Sequence, residues 1–362
     1  MNTADFLFVT MDGGGNVPPL LGVAAAVAGR GHRVHVLGHP RLRDAVERAG
    51  LQFVPYSKAR PWEPQAEKSA LQWVPMFNDP GIAEDVSRYC TDRRPDVAVV
   101  DCMLLPALKA VQRAGITNAA FTHTIRGYID GPHRLGAGTL ARLYGNNAAQ
   151  LWNSSNVNIV ATVQHLDPGA REHQPANIRW VGAVVDGRPS LPSDPPLVLV
   201  SLSTNGFRGQ RSTLEKVIAA LAALPVRAVV TTGGVIDPAD LPRAPNVDVV
   251  GYADHREILP HCSLLIGHGG HATTFRALAH DVPILFLPSS ALSDQRMIGS
   301  AVARAGAGRT MTRFAGVGAV RDAIETLLTD PGVRAAATRL GDEIRGADAA
   351  ATAAELLISL RP

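Results

Sequence analysis

The stretch that most constrains this chain runs from residue 264 to 295, LLIGHGGHATTFRALAHDVPILFLPSSALSDQ. Leu264-Leu265-Ile266 is short and wholly apolar, as expected of a strand buried on both faces of a parallel sheet. Gly267, Gly269 and Gly270 follow, and glycine lets a backbone turn tightly and approach a ligand closely. From Thr273 to His280 apolar residues recur at helical spacing (Phe275, Leu278, Ala279). A second apolar strand ends at Pro288, with Asp294-Gln295 beyond it. Strand, glycine turn, helix and strand together predict an α/β fold with a parallel sheet.

The chemistry of that turn follows from its parts. A helix N-terminus presents unsatisfied amides and the positive end of its dipole, both of which attract phosphate oxygens. Thr273 and Thr274 add hydroxyl donors, and His268 adds an imidazole that can donate a hydrogen bond and gain charge beside an anion. Release of a nucleoside diphosphate would build negative charge here, where fixed donors lower the barrier. A glycine-rich turn that binds nothing is the plain alternative.

The rest of the chain alternates in the same way. Strands are predicted at Phe6–Thr10, Arg33–Leu37, Gln52–Val54, Asp96–Val100, Asn118–Phe121 and Asn158–Ala161, with helices at Leu20–Arg30, Leu42–Ala49, Gly81–Arg93, Leu105–Ala114 and Leu135–Leu151. Residues 186–196, DGRPSLPSDPP, carry four prolines and read as an interdomain linker. A second series places strands at Leu197–Ser201, Arg227–Thr231, Asp248–Val250, Leu264–Ile266 and Ile284–Leu287. Its helices fall at Thr213–Ala223, Ala272–His280, Gln295–Arg304, 316–328, 332–345 and 348–360. The division expected is 1–185, a linker over 186–196, a second domain over 197–347, and a C-terminal helix within 348–362 placed to pack back toward the first domain.

A length of 362 residues, 46% of them hydrophobic, suits two medium domains with real cores. A net charge of +3 without a Lys/Arg cluster argues against nucleic acid as a partner. Cys90, Cys102 and Cys262 lie far apart and read as buried thiols of a reducing compartment. The N-terminus shows no basic region and no cleavable signal, and no apolar run is long enough to span a membrane, so a cytoplasmic protein is expected.

The 264–295 block resembles the donor-binding signature of family 1 glycosyltransferases: HGG, a threonine three residues on, an AL-x-x-x-VP-like run, then Pro and Asp-Gln. The resemblance implies the GT-B architecture, two doubly wound Rossmann-like domains facing across a cleft. The first would bind an acceptor and the second a nucleotide-sugar donor. It assigns the donor diphosphate to His268, Gly269, Gly270 and Thr273, with Ser203 and Thr204 after the strand that opens the second domain. It assigns donor-sugar hydroxyls to Asp294 and Gln295. NVDVVGYADH, residues 246–255, falls where the family holds the nucleobase, which points to stacking on Tyr252 and contact with the backbone of Ala253. Arg276 stands eight positions after His268, where many UDP-glucose users carry a ribose-binding Glu. Its presence leans the donor toward a dTDP-sugar, as in actinobacterial natural-product enzymes. No metal site and no resident cofactor are expected, since His268 and His271 lack a third ligand.

Transfer to a hydroxyl calls for a general base. The family places a His in a glycine-rich loop after the first strand, oriented by an Asp at the end of a later strand. This chain reads Asp12-Gly13-Gly14-Gly15-Asn16-Val17-Pro18-Pro19, so Asn16 occupies the His position, and an amide takes no proton at neutral pH. The partner position is kept as Asp101. Three readings compete: Asp101 acts as the base itself, His123 in the loop after a later strand takes over, or the acceptor needs little help, as with an acidic phenol, an amine or a carbon nucleophile. Asp12 is a fourth candidate. The aromatic segment 55–80, with Trp62, Trp73, Met76 and Phe77, either lines the acceptor site or covers the first domain's core.

The expectation is an inverting, metal-independent glycosyltransferase that moves a (deoxy)hexose to a small aromatic or apolar natural product. Its partners would be a nucleotide sugar and a small-molecule acceptor, with no membrane and with a homodimer left open. Two rivals stand beside it: a non-catalytic sugar-nucleotide-binding or auxiliary protein, motivated by Asn16, and a sugar-nucleotide epimerase.

Overall fold

The computed structural model describes residues 3–66, 70–170 and 174–361. The chain divides into two units. One takes the residues up to Glu63, Ser69–Val184 and those from Asp348 onward; the other takes Val185–Ala347 and a short piece beginning at Pro64.

The first unit is built on a seven-stranded parallel sheet: β1 (Asp5–Val9), β2 (Arg33–Gly38), β3 (Gln52–Pro55), β4 (Val97–Asp101), β5 (Thr117–Thr122), β6 (Val157–Val160) and β7 (Ile178–Trp180), in the order β3-β2-β1-β4-β5-β6-β7. Alternation along β1 explains its two covered faces. Phe6 and Phe8 enter one core with Val23 and Val27, while Leu7 and Val9 enter the other with Val100 and Leu108. The Val17–Ala28 helix follows β1 and carries prolines in its first turn, where no N–H is needed for a helical bond. The C-terminal helix, Ala349–Ser359, starts on Asp348, which accepts from Ala351 N–H at 3.3 Å. Its buried stripe of Ala349, Ala353, Ala354 and Leu357 joins the core under Phe6 and Phe8.

The second unit holds a six-stranded parallel sheet: β8 (Leu197–Ser201), β9 (Arg227–Thr231), β10 (Val247–Val250), β11 (Cys262–Gly267), β12 (Ile284–Phe286) and β13 (Gly308–Thr310), in the order β10-β9-β8-β11-β12-β13. Both sheets therefore reverse direction of strand addition once, between β1 and β4 and between β8 and β11. In open α/β sheets that reversal opens a crevice at the carboxyl ends of the strands, where ligands bind.

The structure departs from the sequence expectation in four places. The strands β7 and β13 were not anticipated; each has three residues, IRW and GRT, at the edge of its sheet, too short to show a pattern. The helix expected over Leu135–Leu151 is broken into Ala137–Leu140, a 3₁₀ turn at Ala141–Tyr144 and Ala148–Asn153, with Gly145 in the left-handed region at φ 73°. Residues Ala70–Phe77 form a helix despite Pro75. The proline-rich piece expected to be a free linker is bonded to the second unit: Ser190 N–H donates to His280 O and Leu191 N–H to Pro260 O. Gly187 is needed there, because a Cβ would lie 2.4 Å from Ala279.

Candidate functional site

At the reversal point of the first sheet, three loops bring Asn16, Asp101 and His123 together. Asn16 follows β1, Asp101 ends β4 and His123 follows β5. Asp101 is fully buried, and its Oδ1 accepts from Met103 N–H at 3.0 Å. Its Oδ2 receives Asn16 Nδ2 at 3.0 Å and faces His123 Nδ1 at 3.1 Å. Burial alone would raise the Asp101 pKa; the imidazole of His123, the Met103 amide and the Asn16 amide outweigh it and hold the carboxyl below its usual range. Asp101 is thus a carboxylate 3.1 Å from His123 Nδ1, a placement that favours the tautomer with its proton on that nitrogen. The lone pair able to take a proton is then on His123 Nε2.

Asn16 does not copy the role of a base. It is buried at 3% exposure, and its Nδ2 also donates to Thr10 Oγ1 at 3.2 Å and Met11 O at 3.1 Å. Its Oδ1 accepts from Gly13 N–H at 3.1 Å, which closes the glycine loop over the amide. Asn16 is therefore a brace between that loop and Asp101. Thr10 takes part in the brace and was missed in the sequence, because nothing in its local pattern sets it apart. Asp12 lies elsewhere: its carboxylate sits 3.6 Å from Arg41, and its carbonyl accepts from Trp62 Nε1 at 2.8 Å. Burial raises the pKa of Asp12, opposed by Arg41 and assisted by Glu63.

Asp101, Cys102 and His123 also hold one potential metal-ligand atom each within 4.8 Å of one another. The donor set fits a metal poorly. The Cys102 thiol is pushed far up by burial and then by the Asp101 charge, so it stays protonated, and Asp101 is already engaged by three donors. Of the aromatic segment, Trp62 and Met76 are buried in the core that holds Leu7 and Val9, with Trp73 and Phe77 packed partly against it. Trp62 and Trp73 meet edge to face at 4.8 Å.

In the second unit, β11 runs through Gly267 into the turn His268-Gly269-Gly270, and the His271–Ala279 helix begins there. Gly270 occupies the cap position with φ −66° and ψ 135°, and as a glycine it offers no side chain to cap the first amides. Gly269 has φ 92°, and a Cβ there would lie 2.6 Å from Gln295 O, so only glycine allows this turn to touch the start of the Gln295–Arg304 helix. A Cβ on Gly270 would lie 2.6 Å from His268 Nε2, so the ring lies directly over that residue. Phe207 stands beside it, centroid to centroid 6.3 Å.

Burial pushes the His268 pKa down to about 4, so the ring is neutral near pH 7. Its Nδ1 is buried and has no protein partner. The ring stands ready to donate one hydrogen bond beside uncapped amides.

The remaining donor-side residues are placed as follows. Thr273 is partly exposed in the first turn of the helix. Ser203 is buried, and its Oγ accepts from Asn205 N–H at 2.9 Å while Gln210 Nε2 donates to its carbonyl at 3.2 Å. Thr204 next to it is exposed. Gln295 is buried at 2% exposure, and its Oε1 accepts from Ser289 and Ser290 N–H at 2.7 and 3.1 Å, which sets the loop between β12 and Asp294. Its Oε1 is thus committed to that loop, and only Nε2 is left to bond a sugar hydroxyl. Asp294 is partly exposed at the start of the Gln295–Arg304 helix. Tyr252 is 79% exposed, and Ala253 beside it is partly exposed.

Comparison with known proteins adds to this geometry. Residues 215–360 match the erythromycin biosynthesis protein CIII-like, C-terminal domain family. The chain is 25% identical over 424 residues to 4'-demethylrebeccamycin synthase of Lentzea aerocolonigenes, covering 99% of each. It is 27% identical to demethyllactenocin mycarosyltransferase of Streptomyces fradiae over 99% of this chain and 86% of that protein. The solved glycotransferase of kitacinnamycin superposes over the full length of both chains with a TM-score of 0.83 at 22% identity, which establishes a shared fold.

Proposed function

We propose, from the premise that this chain is a glycosyltransferase of the GT-B fold, that it moves a hexose or deoxyhexose from a nucleotide diphosphate to a hydroxyl of a small natural product, with inversion and without a metal ion. The observation that carries this reading is the Asp101–His123 pair. It offers an oriented base in a chain whose glycine loop carries Asn16 where the family places His.

In this mechanism the acceptor hydroxyl gives its proton to His123 Nε2 as its oxygen attacks the anomeric carbon. Asp101 stabilises the imidazolium that forms. The bond from the anomeric carbon to the diphosphate breaks, and its electron pair leaves on the diphosphate oxygen. The charge that develops there meets the first-turn amides of the His271–Ala279 helix, the Thr273 hydroxyl and the neutral His268 N–H. A single displacement of this kind inverts the anomeric centre. Helix amides and neutral donors neutralise the leaving group, so the reading needs no divalent cation.

The donor is read as dTDP-linked, because Arg276 and not an acid stands eight residues after His268 and offers nothing for a ribose diol to donate to. The acceptor class follows demethyllactenocin mycarosyltransferase, a relative named for transfer of a sugar to a natural product. The test is incubation with dTDP- and UDP-sugars and a panel of phenolic and aliphatic alcohols. Glycosylated product with stoichiometric nucleoside diphosphate is expected. Nucleotide binding without turnover against any acceptor would favour a non-catalytic role, and an altered sugar formed without acceptor would favour epimerisation.

A further inference from the structure

Among the described residues, Arg276 forms no ion pair. It stands in the last turn of the His271–Ala279 helix, and helical side chains lean toward the N-terminus. Thr273 and Ala272, one turn back, share its face. Among the described residues the Arg276 Nε is buried with no hydrogen-bond partner, and no carboxylate lies within 4.0 Å of the guanidinium. Its electrostatic neighbours are Asp186, Arg256, Asp254 and Tyr252. Asp254 is already spent on Arg256, whose Nε and Nη2 reach its carboxylate at 3.0 and 2.6 Å. Nearby His255 adds no charge, since burial pushes its pKa down to about 4. Burial works most against the cation; the charge of Asp186 favours it, Arg256 opposes it and Asp254 favours it, but neither acid makes an ion pair with it among the described residues. A partly exposed guanidinium without an ion-pair partner is open to an anion from outside.

Two neighbourhoods meet at this side chain. One turn back along the helix are Thr273 and the amides proposed to hold a diphosphate, and Tyr252, proposed to face the nucleobase, is among its electrostatic neighbours. The group of a nucleotide that lies between base and terminal phosphate, and carries charge, is the phosphate attached to the nucleoside. The cradle otherwise offers dipoles and a neutral imidazole. We propose that Arg276 is a specificity residue that binds the nucleoside-proximal phosphate of the donor through charge-assisted hydrogen bonds. The proposal rests on the nucleotide-diphosphate reading above.

Calorimetry with dTDP, dTMP and thymidine on the wild type, Arg276→Gln and Arg276→Lys separates the outcomes. The glutamine variant is expected to lose about tenfold or more in affinity for dTDP and dTMP, to show a shallower salt dependence, and to bind thymidine as the wild type does. The lysine variant is expected to recover part of the loss by restoring charge without the fork. Unchanged dTDP affinity in the glutamine variant, with its thermal melting temperature preserved, overturns the assignment. An equal loss for thymidine also overturns it, since the residue then contacts base or sugar. A wild type that binds no nucleoside diphosphate overturns the donor reading itself, which the variant comparison alone cannot do.

Discussion

Replacing His123 with Gln tests the base directly. Glutamine keeps a polar side chain of similar reach but cannot accept and hold a proton at neutral pH. A positioned general base contributes about 10²–10⁴ in rate, or about 2.7–5.4 kcal/mol at 1.36 kcal/mol per tenfold. The kcat for an aliphatic alcohol acceptor should fall by that factor. Donor affinity should hold, because His123 and the proposed donor residues belong to different units. An acidic phenol should suffer less, since its proton leaves more readily.

Asp101→Asn should reproduce the loss for a reason visible in the geometry. The carboxylate presents Oδ1 to Met103 N–H and Oδ2 to both Asn16 Nδ2 and His123 Nδ1. An amide has one oxygen and one NH₂, so one of those donor groups must face another donor. If the oxygen stays with Met103, His123 can only bond by accepting at Nδ1, which moves its proton to Nε2 and removes the base. The two single changes strike one device, so the double variant should be no slower than His123→Gln alone. Initial rates at saturating donor, with melting curves to confirm folding, give all three values. A His123→Gln rate within about threefold of wild type would refute the assignment. So would a full, independent loss from Asp101→Asn in the His123→Gln background.

Three further outcomes follow from the same structure. His268→Ala should lower turnover by about 10²–10³ while the melting temperature holds, because it removes a donor to the leaving group; initial rates near wild type would remove His268 from the chemistry. Asn16→Ala should cost about 1–3 kcal/mol in urea unfolding, since it removes one bond to Gly13 N–H and takes a donor from buried Asp101; an unchanged midpoint would show that the brace carries nothing. His133, His255 and His268 are pushed by burial from 6.5 to about 4. The unfolded chain therefore binds more protons between those values, and stability should fall as pH drops through that window, by about 1.4 kcal/mol per pH unit for each histidine. His133→Leu should flatten that slope by about one proton in urea titrations, and an unaltered slope would rule the ring out as a contributor.

Much of the fold was legible because burial writes itself into sequence. Parallel strands covered on both faces, such as the VAVVD of β4 and the LLI of β11, are apolar runs that stand out against their loops. The edge strands β7 and β13 escaped because one side of an edge is unpaired and three residues hold no period. The break at Gly145 escaped because Leu140, Ala141 and Leu143 keep helical spacing up to it, and only the left-handed backbone ends the run. On the donor side the glycines were informative, since Gly269 and Gly270 are each required by a contact that a Cβ would prevent. The use of Gln295 Oε1 to hold Ser289 and Ser290 was not legible, because a side chain's partner depends on loop geometry that composition does not encode.

The base illustrates what strand order adds. Asn16, Asp101 and His123 were each visible as polar residues at or beyond the end of a strand, but three readings of them stood level. The sheet order β1-β4-β5 decides their proximity, and order is a property of topology that periodicity along one strand does not carry. Adjacent strands lie about 4.8 Å apart, so residues ending β1 and β5 are separated by roughly twice that, too far for a direct hydrogen bond. A carboxylate on the central strand spans the gap, with one oxygen receiving Asn16 from one side and facing His123 on the other. The acid that a His in the glycine loop would have used is thereby turned toward a His on the opposite neighbour. An Asp at the end of the middle strand can orient a base on either flank, which is how the proposed chemistry would proceed with an amide at position 16.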